Sequence, residues 1–96
     1  MLAKKHENMQ NVVLAICDKE IIGKTFEEGN LSITAKERFY KGEEITPQKF
    51  DELVKEATSL NLLGNKCVEL AIKKGLVDEK SVIVINGVKH AQIYTI

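Results

Sequence analysis

The sequence predicts an α+β fold: a single small domain in which a mainly antiparallel sheet carries a pair of helices on one face and ends in a C-terminal β-hairpin. Three observations predict it. The run VVLAIC at residues 12–17 is apolar without interruption, as in a central strand covered on both faces. Two amphipathic segments in the middle of the chain have helical spacing. Asn86 and Gly87 separate two apolar runs and are the strongest two-residue signal for a hairpin.

Composition limits the size and chemistry of the protein. With 96 residues, 44% of them hydrophobic, the chain is long enough for one domain over residues 1–96 and too short for two. Fourteen basic and fourteen acidic residues give a formal net charge of zero, which excludes the wide basic face of a protein that wraps much nucleic acid. Every basic residue except Arg38 is a lysine, so bidentate recognition of phosphate or guanine is nearly absent. Any nucleic acid is therefore expected to be held through few phosphates.

The cysteines and the amino terminus bear on cofactors and location. Cys17 and Cys67 stand far apart in apolar segments, without a CxxC pair or a histidine cluster to complete a zinc site. We expect both thiols to be reduced and buried, and we expect no metal and no cofactor. The opening MLAKKHENMQ is charged, unlike a signal peptide, and the longest apolar run is too short to span a bilayer. These features predict a cytoplasmic protein that has no membrane partner.

The first half of the chain is predicted to form strands. Residues 2–5 are expected to form a short strand before a polar turn, and residues 12–17 form the central strand. Residues 21–26 and 31–34 flank the polar segment EEGN and predict a hairpin. Phe39 and Tyr40 are two of the five aromatic residues, and we expect them to contribute strongly to the core.

Two helices are predicted next. Thr46 is a suitable N-cap, Pro47 fits the first helical position, and apolar residues continue at helical spacing as far as Leu60. A second helix is predicted over about residues 65–74, with Gly75 as its left-handed C-cap. The segment NLLGNKC, residues 61–67, is therefore expected to be the junction between the helices.

The closing hairpin gives the first candidate binding surface. Its two-residue turn fixes three cross-strand pairs, which are Ile85 with Val88, Val84 with Lys89, and Ile83 with His90. His90, Gln92 and Tyr94 then share one face of the strand, and Lys89 lies on the reverse face. Because hydrogen-bonding groups beside a ring can hold a ligand, we take Lys89, His90, Gln92 and Tyr94 as candidate binding residues.

His90 also has a structural interpretation. It can pack beside Ile83 with one ring nitrogen hydrogen-bonded, because no base, nucleophile or metal ligand stands beside it in the sequence. As an acid or base, His90 needs a partner within about 3 Å that only the fold can supply. The sequence therefore predicts no catalytic residue and no metal ligand.

The second candidate binding site is the segment Gly64, Asn65 and Lys66. Free N–H groups at a helix N-terminus attract a phosphate, and the Lys66 ammonium adds positive charge. The alternative is a tight turn in which Gly64 permits close packing and Asn65 caps the following helix.

Four segments carry a resemblance to a known family: VVLAICDKEIIGKTFEEGNL, the aromatic pair in ERFYKGEE, ATSLNLLGNKCVELAIKKGLVD, and the closing INGVKHAQI. Together they resemble the small archaeal proteins of domain-of-unknown-function family 424. The resemblance covers nearly the whole chain, and the final GV-x-HAQ is its most specific part. It implies an archaeal cytoplasmic protein of uncharacterised function with a suspected connection to RNA or translation.

The family usually has proline where this sequence has Lys89. The N–H of residue 89 points away from its hairpin partner, so proline fits there only if nothing pairs on the outer side. We therefore expect the last strand to begin as an edge, or to break its pairing near Lys89, and to leave His90 half-exposed.

Three functions remain open. The leading hypothesis is a binding module for structured RNA or the ribosome, and the second is an adaptor that docks on a protein partner through an edge strand or the helix pair. The third is an enzyme that uses His90. RNA binding through few phosphates predicts a shallow salt dependence, on the order of 0.7 log units of affinity per log unit of salt for each phosphate. The sequence does not define the oligomeric state.

Overall fold

The structure is a computed structural model that describes residues 1–94. Within these residues the strands are Leu2–Asn8 (β1), Asn11–Cys17 (β2), Thr25–Glu28 (β3), Leu31–Thr34 (β4), Glu43–Glu44 (β5), Ser59–Leu63 (β6), Ile83–Ile85 (β7) and Val88–Tyr94 (β8). The helices are Glu37–Tyr40 (α1), Pro47–Val54 (α2) and Asn65–Lys73 (α3). Of these helices, none has the length and apolar character needed to cross a membrane.

One six-stranded sheet in the described chain has the order β5, β1, β2, β6, β8, β7. All neighbours in it are antiparallel except β2 and β6, which are parallel. A parallel pair needs a crossover connection, and the chain between β2 and β6 supplies it with the β3–β4 hairpin, α1, β5 and α2. The predicted α+β class with a mainly antiparallel sheet is confirmed.

Helices α2 and α3 cover one face of the sheet, as predicted. Alternate residues of the central strands, among them Leu14, Ile16, Leu60 and Leu62, meet apolar side chains of both helices there. Helix α2 begins as predicted, because Thr46 Oγ1 accepts a hydrogen bond from the Lys49 N–H at 3.2 Å.

Helix α3 ends as predicted. Gly75 has a φ of 75°, and the Leu76 N–H donates to the Ala71 carbonyl at 2.9 Å. This hydrogen bond, from an N–H to the carbonyl five residues earlier, is characteristic of a Schellman motif. Backbone hydrogen bonds of this motif therefore satisfy carbonyl groups at the end of helix α3.

The β3–β4 hairpin and α1 cover one end of the opposite face. The buried residues there are Ala15, Cys17, Ala35, Tyr40 and Leu63. Both cysteines are free thiols with 0% of their surface exposed, so their predicted burial is confirmed. Burial raises the pKa of the Cys17 thiol to about 12, with a further increase from the Asp18 carboxylate.

Three segments differ from the sequence predictions. In the predicted hairpin, the strand before the turn is Thr25–Glu28 instead of residues 21–26, because residues 19–21 form a 3₁₀ turn. The first strand continues to Asn8 because it pairs with β2 along its whole length. Helix α2 ends at Val54 instead of continuing to Leu60. Beyond it, the Thr58 hydroxyl accepts from the Val12 N–H at 2.9 Å and donates to the Val12 carbonyl at 3.1 Å. Residues 59–63 then form β6, so the predicted interhelical junction is wrong: most of it is a central strand.

The closing hairpin has the predicted register. Asn86 and Gly87 have φ values of 49° and 80°, and two positive values are characteristic of the type I′ turn that this dipeptide favours. However, β8 is an interior strand between β6 and β7, and β7 is the edge of the sheet. The expectation of an edge or a break in pairing near Lys89 therefore holds only for Val88 and Lys89, since β6 pairs with β8 from His90 onward.

Candidate functional site

Beyond the hairpin and α1, the second face of the sheet is open. We call this region the open sheet face; it consists of polar and aromatic residues and one valine on four neighbouring strands, namely Asn8, Asn11, Val13, Ser59, Asn61, His90, Gln92 and Tyr94. The ends of α1 and β4 border it. It contains three of the sequence candidates, His90, Gln92 and Tyr94.

Three shallow cavities of about 200, 330 and 470 Å³ lie along this face. They form one continuous surface, because the 200 Å³ cavity shares Ser59 and Tyr94 with the 470 Å³ cavity, and Asn61 and Gln92 with the 330 Å³ cavity. Among residues 1–94, none of those that line the three cavities carries a carboxylate. The described part of the surface therefore presents no carboxylate that would repel an anionic ligand at close range.

The outer part of the face presents a ring and two amides. The Tyr94 side chain is 80% exposed and lies across from Ser59, while Gln92 lies across from Asn61 on the neighbouring strand. An exposed ring offers a flat apolar surface, and the adjacent amides offer both hydrogen-bond donors and acceptors. This combination suits a flat, polar ligand.

A hydrogen bond fixes one of the amides. The Tyr40 hydroxyl donates to Asn61 Oδ1 at 2.6 Å, so the Asn61 NH₂ group remains available on the open side. Burial raises the pKa of the Tyr40 phenol well above its usual value, and the nearby Cys17 and Cys67 add to the increase. The phenol therefore stays protonated and continues to act as the donor.

His90 is buried, not half-exposed as expected: 9% of its surface is accessible. The expectation is wrong because β8 pairs on both sides, with Leu63 and Ile83 as the partners of His90. Its Nδ1 lies 2.9 Å from the Leu62 carbonyl oxygen. The structural interpretation, with one ring nitrogen hydrogen-bonded beside Ile83, is confirmed.

The other ring nitrogen of His90 faces a cavity. A carbonyl can only accept, so Nδ1 carries the hydrogen and Nε2 of the neutral ring is an acceptor. Within residues 1–94, Nε2 has no hydrogen-bond partner, and no fully buried side-chain nitrogen or oxygen is left without one. Nε2 is therefore reached by solvent through the 330 Å³ cavity that His90 helps to line.

Lys89 lies apart from this surface. Its ammonium contacts the Glu69 carboxylate at 3.2 Å on the helix-covered face, and its N–H donates to Asn65 Oδ1 at 2.9 Å. The β6–β8 ladder begins at His90, so the predicted break in pairing near Lys89 is confirmed. A proline at residue 89 would remove one backbone hydrogen bond, the one to Asn65, together with the ion pair to Glu69.

The Gly64, Asn65 and Lys66 segment is not an open anion site. The Lys66 and Cys67 N–H groups donate to the Asp18 carboxylate at 2.9 and 3.0 Å, and the Gly64 N–H donates to the Lys89 carbonyl at 2.8 Å. The prediction of free N–H groups is wrong because a carboxylate of the chain already occupies this helix N-terminus.

The alternative prediction for this segment is a tight turn in which Gly64 permits close packing and Asn65 caps the helix. It is correct for Gly64 and wrong for Asn65. A Cβ added at Gly64 would lie 2.4 Å from Asp18 Cγ, which confirms the close packing. Asp18 caps α3, whereas the Asn65 amide donates to the Gly87 carbonyl at 3.0 Å. Sequence reasoning missed Asp18, and the available signal was its position directly after the central strand.

Sequence reasoning also missed Ser59, Asn61, Phe39 and His6. The first two alternate with leucines in SLNLL, a period of two that indicates a strand with one polar face. The His6 and Phe39 rings are stacked, with centroids 4.6 Å apart, and His6 Nε2 lies 2.8 Å from the Phe39 carbonyl oxygen. This stack fixes α1 against β1 beside the open sheet face.

Residues 1–94 contain no group of three or more histidine, cysteine, aspartate or glutamate side chains that could hold a metal ion. The hydroxyl groups that line the cavity beside His90 belong to Thr34 and Tyr40. Within the same part of the chain, His90 is hydrogen-bonded to neither. The arrangement offers hydrogen bonds and a stacking surface to a ligand.

The fold and this surface define a class: a small α+β protein whose sheet is covered on one face and partly open on the other. The chain belongs to the family described as "Protein of unknown function (DUF424)", whose model matches residues 6–96. The resemblance found in the sequence is thus confirmed. A comparison with curated proteins gave no match.

A solved structure shares the fold. It is the crystal structure of an uncharacterized conserved protein from Methanopyrus kandleri, with a TM-score of 0.81 and 28% sequence identity. The similarity covers 99% of this chain and 90% of that one. The architecture described above is therefore similar to one observed in an archaeal protein.

Proposed function

We propose that this protein is a cytoplasmic RNA-binding module that holds an unpaired segment of structured or ribosomal RNA on its open sheet face. The observation that carries the proposal is the continuous surface that combines an exposed Tyr94 ring with the amides of Asn61 and Gln92, and to which the described residues contribute no carboxylate. Proteins recognise unpaired RNA mainly by stacking bases on rings and by hydrogen bonds to base edges.

The exposed tyrosine supports stacking. Each base stacked on an aromatic side chain contributes about 1 to 3 kcal/mol to binding. Tyr94 is free to provide such a contact because 80% of its surface is exposed in the protein alone. The ring lies beside the two cavities that Tyr94 lines, so a base stacked on it could also reach the amides of Asn61 and Gln92.

The charges support a ligand held mainly through its bases. Lys36 is exposed and lines the face, whereas the Lys4 ammonium is already bound to the Arg38 carbonyl at 2.7 Å. With a net charge of zero for the whole chain, few lysines can neutralise phosphates. Affinity is therefore expected to come from stacking and base contacts, with a shallow dependence on salt.

The test is an amide-shift titration of isotope-labelled protein with transfer RNA and short single-stranded RNAs, at low and near-physiological salt. We expect shifts at Ser59, Asn61, Gln92 and Tyr94 that persist in salt, and none on the outer faces of α2 and α3. No shifts, or shifts confined to Gly64 and its neighbours, would contradict the proposal.

A protein partner is the second candidate, and the edge strand β7 favours it. Ile83 and Val84 are 50% and 49% exposed, and Val84 is at a non-hydrogen-bonded pair with Lys89, so its N–H and carbonyl point outward. An apolar edge of this kind can accept an added strand from another protein.

Val84→Pro separates the two candidates, because proline removes the outward N–H and leaves the pairing with β8 intact. We would measure co-sedimentation with purified archaeal ribosomes. Release by Val84→Pro but not by Tyr94→Ala would favour strand addition to a ribosomal protein. The reverse pattern supports the open sheet face.

A further inference from the structure

We infer that the 330 Å³ cavity beside His90 is a pocket that selects one unpaired base of the bound RNA, an inference that rests on the proposed function. We call it the His90 pocket. The side chains used here are those of Lys36, Phe39, Tyr40, Asn61, His90 and Gln92, all of which line it. It joins the outer part of the open sheet face through Asn61 and Gln92.

The pocket has a fixed acceptor. The bond from Nδ1 to the Leu62 carbonyl at 2.9 Å sets the tautomer of His90, which leaves the Nε2 lone pair for a ligand. Because the imidazole is 9% exposed and paired from both neighbouring strands, its position is set before any ligand arrives. A preorganised group loses little entropy on binding.

The pocket also has a fixed donor. The Tyr40 hydroxyl occupies Asn61 Oδ1 at 2.6 Å and so directs the Asn61 NH₂ group toward the ligand side. Asn61 lies directly across from Gln92, two residues beyond His90 on β8. The donor and the acceptor are therefore diagonal neighbours on one sheet face, roughly 7 to 8 Å apart at their Cα atoms, and long side chains bridge that separation.

A nucleobase matches these groups. Its edge presents a donor and an acceptor side by side, its ring is flat and uncharged, and an unpaired base leaves that edge free. The Phe39 ring and the exposed Lys36 complete the surroundings with an apolar wall and a cation near a phosphate or sugar. A site built to hydrogen-bond one edge pattern disfavours bases that leave its buried groups unpaired.

His90→Asn is the principal test variant. Its amide can still donate to the Leu62 carbonyl, while no atom remains at the position of Nε2. Asn61→Asp is the second variant, because it keeps an oxygen for Tyr40 and replaces the donor with an acceptor at a partly exposed position where folding is less at risk. Tyr94→Ala is the matched control, because it changes the stacking surface and leaves the His90 pocket unchanged.

The probes are fluorescein-labelled oligouridylate, oligoadenylate and oligocytidylate of about eight nucleotides, and the readout is the Kd from fluorescence anisotropy. The wild type is expected to prefer one of them by on the order of tenfold. His90→Asn and Asn61→Asp should bring the three Kd values close together, whereas Tyr94→Ala should weaken all three by a similar factor.

The outcomes separate the two ideas. If the RNAs bind without preference, or if the preference survives both pocket variants, the His90 pocket does not select a base, and RNA binding by the open sheet face still holds. If none of the RNAs binds, the proposed function fails and the inference fails with it.

Discussion

The Tyr40 hydroxyl and the Asn61 amide meet at 2.6 Å where the covered part of the sheet face becomes open. Tyr40 belongs to α1, which lies on the sheet, and Asn61 belongs to β6, one of its central strands. The contact therefore links the packing of α1 to the orientation of an amide on the open sheet face. It joins a structural element to the candidate site through two side chains.

Tyr40→Phe should weaken base selection more than stability. The variant loses one hydrogen bond, which contributes about 1 kcal/mol to folding, and frees the Asn61 amide to rotate. We expect a small decrease in the urea midpoint together with a smaller spread among the Kd values for the three RNA probes. An unchanged spread would show that Tyr40 does not orient Asn61.

Tyr94→Ala should lower RNA affinity without lowering stability. Loss of one stacking contact corresponds to about 1 to 3 kcal/mol of binding free energy, whereas the ring is 80% exposed and contributes little to the core. Tyr94→Phe keeps the ring and is the control. Anisotropy titrations and urea unfolding measure the two effects, and equal affinity for the alanine and phenylalanine variants would contradict stacking.

Lys36→Gln should reduce the salt dependence of RNA binding. If its ammonium neutralises one phosphate, the slope of log affinity against log salt becomes shallower by about 0.7. Lys55→Gln, which changes an exposed lysine just beyond α2, should leave the slope unchanged. Titrations at several salt concentrations give both slopes, and identical slopes for the two variants would remove Lys36 from the interface.

Gly64→Ala should be far more destabilising than Gly75→Ala. Gly64 has a φ of 124°, and a Cβ there would lie 2.4 Å from Asp18 Cγ, so we expect a loss of about 3 kcal/mol or more. At Gly75 a Cβ meets nothing within 4 Å, and the backbone strain costs about 1 kcal/mol. Urea unfolding compares the two, and similar losses would show that the Asp18 contact adjusts freely.

Stability should fall as the pH rises from about 9 toward 12. Below this window the Cys17 thiol is protonated in both states; within it, the unfolded chain loses the proton while burial keeps the pKa of the folded thiol at about 12. Unfolding is thereby favoured as pH rises. Cys67 and Tyr40, whose pKa values burial also raises, act in the same direction.

Urea midpoints at about pH 8 and about pH 10 measure this dependence. Cys17→Ala should make the decrease with pH smaller, since one of the titrating groups is gone. Leu62→Ala, a core truncation without a titrating group, should lower both midpoints and keep the decrease. An equal decrease in both variants would show that groups other than the Cys17 thiol cause the pH dependence of stability.

The parts of the fold that depend on neighbouring residues could be predicted from the sequence. The Asn86 and Gly87 turn sets its register through its own backbone angles, and Gly75 ends α3 for the same reason. Leu60 fitted both a helical and a strand period. The choice between them is made by the pairing of β6 with β2, whose partners are far away in the sequence.

The candidate site was predictable in part for the same reason. His90, Gln92 and Tyr94 share a face because of the hairpin register, which is local. The burial of His90 depends on β6, which pairs on the far side of β8, and the occupation of the Lys66 N–H depends on Asp18, 48 residues away. No pattern around His90 or Lys66 contains that information.

Because β2 and β6 pair in parallel across a long connection, different parts of the sheet are expected to form at different times. The β1–β2 and β7–β8 hairpins join near neighbours and can form within about 1 to 10 μs. Strand β6 pairs with one strand of each hairpin. The contact between Thr58, just before β6, and Val12 of β2 joins residues 46 positions apart, so the pairing of β6 with β2 must close a long loop. On a translating ribosome β6 emerges before β8 does, so the nascent chain can complete this pairing before the residues of the His90 pocket exist together.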